Sequence, residues 1–181
     1  IPEKWRVANE NDHAHFIALD FGVCKDENGN IVPKLIELQG FPSLFGFQVK
    51  MGDEFRANFD IPGKQTIYFN GLNRESYIEL LQKTVVGDHE PEEVVVMDVD
   101  AFRQKTYVYF LQTLKLIGTP IVALSDLQQE GSQLFYQHNG KKQRVKRIYN
   151  RLIFDEIESD AHIFDKVVDV RQPLDVEWVT H

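Results

Sequence analysis

Glu92-Glu93-Val94-Val95-Val96-Met97-Asp98 and Pro120-Ile121-Val122-Ala123-Leu124, with the apolar stripe Tyr107, Phe110, Leu111, Leu114 and Ile117 between them, decide how this chain folds. The first run is apolar without alternation and is bounded by charges, which is how a strand covered on both faces reads. The stripe has helical spacing and predicts a helix over 101–117, with Gly118 placed to end it. The second run is another short buried strand. Strand, helix and strand joined by short connections make a βαβ unit, which predicts a parallel pair and an α/β fold with a mainly parallel sheet.

Working outward, residues 16–23 (Phe-Ile-Ala-Leu-Asp-Phe-Gly-Val) and 31–39 (Ile-Val-Pro-Lys-Leu-Ile-Glu-Leu-Gln) flank Asn28-Gly29, a strong hairpin signal. A helix is expected over 43–57 with Ser43 as its N-cap, and another over 73–86 capped by Asn73. The Gly-, Pro- and Asn-rich stretch 58–71 reads as a loop around a short strand at Thr66–Phe69. Residues 133–137 and 144–149 flank Asn139-Gly140 and predict a second hairpin, and 152–159 has a helical reading. Two parts are expected: residues 1–60, carrying the acidic hairpin and a helix, and residues 61–181, a small α/β domain.

The 181 residues weigh 21.0 kDa, and 43% are hydrophobic and 27% charged. A chain of this length buries roughly 70% of its unfolded surface, enough for a core. The composition excludes collagen-like and disordered classes. No apolar run approaches the ~20 residues that span a bilayer, so no membrane role is expected. Twenty Lys and Arg against 28 Asp and Glu give a net charge of −8, which argues against a global nucleic-acid binder. One cysteine, Cys24, excludes a disulfide framework and favours a reducing compartment, hence the cytoplasm. The chain starts Ile1-Pro2, shows no signal peptide, and ends Asp175-Val176-Glu177-Trp178-Val179-Thr180-His181, an apolar, strand-like stretch. Termini are usually polar, so the chain is read as a piece of a longer protein; a tail docked on its own domain is the alternative.

The first hairpin carries the chemistry. With Asn28-Gly29 as a two-residue turn, Pro33 faces Cys24 and Asp20 faces Glu37, their Cβ atoms roughly 5 Å apart. Gln39 lies two residues along on the same face. The other face carries Leu19, Phe21, Val23, Ile36 and Leu38 and is expected to be a core face. Facing carboxylates repel, and a divalent cation, a basic side chain or a proton can offset the repulsion. Two carboxylates and an amide oxygen are hard oxygen donors that suit Mg²⁺. A solvated hairpin whose acids point at Lys34 is the plain alternative, and a bulge would break the register.

The stretch Leu19–Gln39 resembles the metal-binding hairpin of ATP-grasp ligases, in which an Asp-bearing strand, a Gly-containing turn and a strand ending Glu-x-Asn supply Mg²⁺ ligands. The order that follows is similar to circularly permuted ATP-grasp proteins related to eukaryotic-type glutathione synthetase and glutathionylspermidine synthetase. It runs through Phe41-Pro42-Ser43, Val94–Asp98, the 101–117 helix and Val145-Lys146-Arg147-Ile148-Tyr149-Asn150-Arg151-Leu152. The resemblance covers residues 16–155. It implies a small Rossmann-like (pre-ATP-grasp) unit as the substrate-binding domain, Mg²⁺ on Glu37 and Gln39 with Asp20 close by, and Ser43 and Arg151 facing a small-molecule or peptide-like carboxylate substrate. It implies ATP as cosubstrate, an acyl phosphate formed from the carboxylate, and attack by an amine. Gln39 departs from the family's Asn, and the lid and lysines that grip ATP phosphates are not in this chain, which by itself is expected to be inactive.

Other features have plainer readings. His13 and His15, with Asp12 adjacent, are two imidazoles on one face that lack a third ligand. Nothing beside Cys24 activates it as a nucleophile. Asp100 reads as the cap of the following helix, whereas Asp98, at a strand's carboxyl end, is open as a ligand-binding residue. No G-x-G-x-x-G follows that strand, so a dinucleotide site is unsupported. Lys141, Lys142, Arg144, Lys146, Arg147 and Arg151 form one basic cluster, a solvated hairpin face or a site for phosphate, an acidic substrate or RNA. The function expected is the substrate- and Mg²⁺-binding portion of an ATP-dependent carbon–nitrogen ligase. A non-catalytic binding domain on the same fold is the rival, and a small nucleotide-binding regulator a weaker third.

Overall fold

The computed structural model describes residues 3–10, 13–159 and 163–180; Ile1, Pro2, Asp12 and His181 lie outside them. The chain runs β1 (Ala18–Lys25), β2 (Ile31–Gln39), α1 (Phe45–Asn58), α2 (Arg74–Val86), β3 (Val94–Asp98), α3 (Tyr107–Ile117), β4 (Ile121–Ala123), β5 (Gln128–Glu130), β6 (Gln133–His138), β7 (Lys141–Val145), β8 (Arg147–Asn150), α4 (Phe154–Ser159) and β9 (Glu177–Val179). The fold is α/β. Four strands form a parallel sheet in the order β4-β3-β8-β9, and β5-β6-β7 and β1-β2 are separate antiparallel sheets.

The continuous apolar run of β3 has the reason its pattern implies. Val94 and Val96 pack with Leu81 and Val85 of α2 and Phe110 and Ile117 of α3, while Val95 and Met97 point into a second core with Leu134, Ile148 and Trp178. All five residues of β3 are buried. Trp5 and Val7, from the segment placed with the hairpin by sequence, belong to that second core. The Trp178 indole N–H donates to the Ala8 carbonyl at 3.1 Å, and Asn9 donates to the Leu174 carbonyl, also at 3.1 Å, so residues 8–9 and 174–178 meet beneath the sheet.

Several boundaries differ from those expected. No strand forms at Thr66–Phe69. Helix α3 begins at Tyr107, not at 101: residues 99–103 turn at the sheet edge, where the Arg103 N–H donates to the Asp100 carbonyl. Asp100 therefore closes a turn and does not cap the helix. Ser43 is not the N-cap of α1 either; Leu44 precedes the helix with φ 80° and gives no side-chain cap. The 144–149 run splits between two sheets, its first part pairing with β6 and its second with β3 and β9. The terminal strand-like stretch is β9, the edge of the parallel sheet, with Trp178 buried.

Helix α2 matches its expected start. The Asn73 side chain accepts from the Ser76 N–H at 2.8 Å, and the Ser76 hydroxyl accepts from the Asn73 N–H at 2.9 Å. Each satisfies a donor the helix cannot pair internally. Asn73→Ala is expected to cost about 1 kcal/mol, read as a lower urea midpoint with an unchanged slope.

The hairpin departs most from expectation. Its turn has three residues, not two: the Asp26 N–H donates to the Asn30 carbonyl, and Gly29 takes φ 82°, a left-handed position that glycine adopts without a Cβ penalty. The Asp26 carboxylate accepts from the Asn28 and Asn30 N–H groups and from the Asn30 amide, which holds its pKa down. The longer turn shifts the register by one, so Pro33 pairs with Val23 and Phe21 with Leu35. A bulge between Asp20 and Phe21 then absorbs the shift, leaving Ile36 as the extra residue. Asp20 consequently does face Glu37. Ile36 lies on the Gly22 face: a Cβ on Gly22 would meet the Ile36 Cδ1 at 3.6 Å.

The apolar face of the hairpin is not a core face. Leu19 is 52% exposed, Val23 81% and Leu38 62%, and Phe21 and Leu35 are exposed with them. Two strands make no layer of their own, and these side chains are left half or more exposed. The hairpin is anchored at its base, where Phe16 stacks on Phe45 of α1 at 4.4 Å and leans on Tyr149 of β8 at 5.6 Å.

Candidate functional site

The three residues singled out as metal ligands come together. The Gln39 side-chain amide donates from one nitrogen to Asp20 Oδ2 and to Glu37 Oε1, both at 2.8 Å. The positive edge of the amide stands between two facing carboxylates and offsets their repulsion, which is one way a sheet tolerates such a pair. Turning the amide over would present its oxygen on the same side as the two carboxylates. The donor set then fits a hard divalent cation held by two carboxylates and one amide oxygen, with open positions for further oxygen ligands. Lys34 pairs with Gly22, two residues from Asp20, and carries no carboxylate among the described residues. Among the described residues no group of three or more His, Cys, Asp and Glu side chains is placed to hold a metal, so the amide is needed as third donor.

Strand β2 leads through Phe41 and Pro42 directly to the carboxyl edge of the parallel sheet. Arg151, which follows β8, is buried there. Its guanidinium donates to the Pro42 carbonyl at 3.0 Å and the Phe41 carbonyl at 3.4 Å and lies 4.1 Å from the Phe41 ring centre. Its backbone N–H donates to the Met97 carbonyl at 2.8 Å. Arg151 thus ties the segment after the acidic hairpin to the sheet, with half-buried Ser43 just beyond the tie. A guanidinium with two carbonyls and a ring face already satisfied is a positioning group first.

That edge is where α/β sheets place ligands. β4 follows β3 on one side and β8 lies on the other, so the carboxyl ends part between β3 and β8. Asp98 ends β3 there and is 4% exposed. The Gln104 amide nitrogen bridges Asp98 Oδ1 at 3.1 Å and Glu156 Oε2 at 3.2 Å, a second amide set between two carboxylates. Burial pushes the Asp98 carboxyl up, the Gln104 bond pulls it down, and the Glu156 charge raises it further. A raised carboxyl takes up a proton more readily folded than unfolded, so its charge costs stability once pH exceeds the folded pKa and the cost vanishes below the ordinary carboxylate pKa near ~4. Asp98→Asn is therefore expected to stabilise the protein at pH 7, with the gain disappearing as the pH falls toward about 4, read from urea midpoints across that range. Gln104 and Glu156 were not legible as partners of Asp98: they sit six and 58 residues on, and only the turn at 99–103 and helix α4 bring them back.

The other candidates separate cleanly. Lys142 pairs with Glu130, Arg144 with Asp175, Lys146 with Glu93 at 2.6 Å, and Arg147 with Glu177. Arg147 also donates to the Val85 and Thr84 carbonyls at the end of α2. Four of the cluster's cations, Lys142, Arg144, Lys146 and Arg147, are thereby held in ion pairs that join elements. His15 is half-buried, and burial followed by the Arg147 charge holds its pKa below the usual histidine range. Cys24 is half-buried on the hairpin. No described helix is long and apolar enough to cross a membrane.

No protein-family model matches this chain, and no curated protein sequence matches it either.

Proposed function

We propose that this chain is the Mg²⁺- and substrate-binding part of an ATP-dependent carboxylate–amine ligase of the circularly permuted ATP-grasp kind, acting in the cytoplasm. The observation that carries the reading is the Gln39 amide held at 2.8 Å from both Asp20 and Glu37. Facing acids with a reversible amide donor between them can exchange that amide's N–H edge for its oxygen when a cation arrives. Asp20, Glu37 and Gln39 would hold the ion. Bound there, Mg²⁺ would neutralise charge on phosphate oxygens, the main requirement of phosphoryl transfer.

The remaining roles belong to the chain's own groups. Arg151 fixes Phe41 and Pro42 and so sets Ser43 at the carboxyl edge of the sheet. Under this reading the sheet is the Rossmann-like, pre-ATP-grasp substrate domain, and the carboxylate substrate lies at that edge beside Ser43 and Arg151. The side chains that grip ATP phosphates belong to a segment outside this sequence. A second reading, a non-catalytic binding domain on the same fold, is favoured by the exposed apolar side of the hairpin, which fits a contact surface better than a catalytic one.

Manganese, a paramagnetic substitute for Mg²⁺, tests the choice. Titration of the 181-residue chain, followed by electron paramagnetic resonance, is expected to show one Mn²⁺ bound, lost on Glu37→Ala. No bound Mn²⁺ would remove the ligase reading and leave the binding domain.

A further inference from the structure

We infer that the cavity between α1 and the 61–68 segment is a binding site for a small organic anion with an apolar body. It is separate from the residues of the ligase reading and does not depend on it. Helix α1 has two apolar sides. Gly46 and Val49 are buried, Gly46 so close to α3 that a Cβ would lie 3.0 Å from the Thr113 nitrogen. Met51 and Phe55 instead line a cavity of about 830 Å³ whose opposite wall includes Ile61, Ile67 and Tyr68. That volume lies within the range of sites that take drug-sized ligands.

The walls are held apart by specific contacts. Arg74 grips Asp53 of α1 with two nitrogens at 3.0 Å, fixing the far end of the 61–73 segment. Arg56 donates to the Gln65 carbonyl and fixes its middle. Ile67 seats over Gly52, where a Cβ would lie 2.6 Å from its Cδ1, so α1 and the segment meet at one close point beside the opening. Tyr68 leans on Tyr77 of α2 at 5.3 Å.

Charge selects the ligand. Asp53 is the one acid of the lining and is already paired with Arg74. Among the described residues Arg56 and Lys64 have no carboxylate partner, in a chain whose net charge is −8. An apolar hollow with two uncompensated cations at its rim complements one carboxylate, sulfonate or phosphate on a flat or branched hydrocarbon.

The test uses 8-anilinonaphthalene-1-sulfonate and its uncharged counterpart N-phenyl-1-naphthylamine, followed by fluorescence on the whole chain. The sulfonate is expected to bind one saturable site more tightly than the neutral compound. Its Kd should rise about tenfold or more in Arg56→Gln/Lys64→Glu, since each charge-assisted contact is worth that order. It should stay unchanged in Phe21→Ser/Leu38→Ser, which removes apolar surface from the hairpin. Lys64→Glu alone, at an exposed loop position, decides the matter if the double variant does not fold. Equal affinity for the two compounds, wild-type affinity in the rim variants, or loss of binding in the hairpin variant would each overturn the assignment.

Discussion

Trp178→Ala is expected to destabilise the protein by about 3–5 kcal/mol, the usual cost of truncating a buried tryptophan. The total stability of a domain is about 5–15 kcal/mol, so this one change removes a large share of it. Trp178 is 2% exposed and sits opposite Ile148 where β9 joins β8. Its side chain fills the core shared by Trp5, Met97 and Leu134, and its N–H reaches the Ala8 carbonyl. Truncation leaves a cavity under the sheet, an unpaired carbonyl at Ala8, and an N-terminal segment held chiefly by Trp5, Val7 and Asn9. Urea denaturation followed by circular dichroism measures the loss without relying on the removed fluorophore. A change under about 1 kcal/mol would show that β9 is not part of the cooperative core.

The second large effect falls on the hairpin and discriminates by sign. Glu37→Ala should weaken Mn²⁺ binding at least about tenfold, because one of two carboxylate ligands is lost. Gln39→Glu should do the opposite: a third carboxylate strengthens a cation site while leaving the metal-free hairpin with three acids facing one another. The expected result is tighter Mn²⁺ binding together with a lower melting temperature that added Mn²⁺ restores. If Gln39 serves only as a neutral bridge between solvated acids, the same substitution lowers the melting temperature and manganese does not restore it. That outcome would also end the ligase reading, whereas dye binding in the α1 cavity would be unaffected.

The hairpin shows how a partly mistaken reading reached the right pair. Asn28-Gly29 marks a turn, but a two-residue and a three-residue loop share that dipeptide and a left-handed Gly29; the Asn28 backbone, which is not left-handed here, and the Asp26–Asn30 hydrogen bond tell them apart. The shift that follows is cancelled by the bulge at Ile36, so Asp20 meets Glu37 as the simpler count required. The bulge has no signature in one sequence. Its visible consequence is Ile36 turned onto the Gly22 side, while Leu35 pairs with Phe21 in the place expected of Ile36. The exposure of Leu19, Phe21 and Leu38 was equally hidden, because alternation identifies an apolar face and not what covers it.

Local pattern by itself determined the buried strand at Val94–Asp98, its parallel neighbour at Ile121–Ala123, the capped start of α2 and the presence of two hairpins, since each depends on residues a few positions apart. Tertiary structure alone decided the rest. It split the 141–150 run between two sheets, made Glu177–Val179 a sheet edge by giving Trp178 a core to fill, and turned Arg144, Lys146 and Arg147 of the basic cluster into ion pairs with Asp175, Glu93 and Glu177. It brought Gln104 and Glu156 to Asp98 and, among the described residues, left Arg56 and Lys64 without a carboxylate partner beside an apolar hollow. The physical reason is common to all of these: burial and Coulomb interaction act through space, whereas periodicity and capping act along the chain.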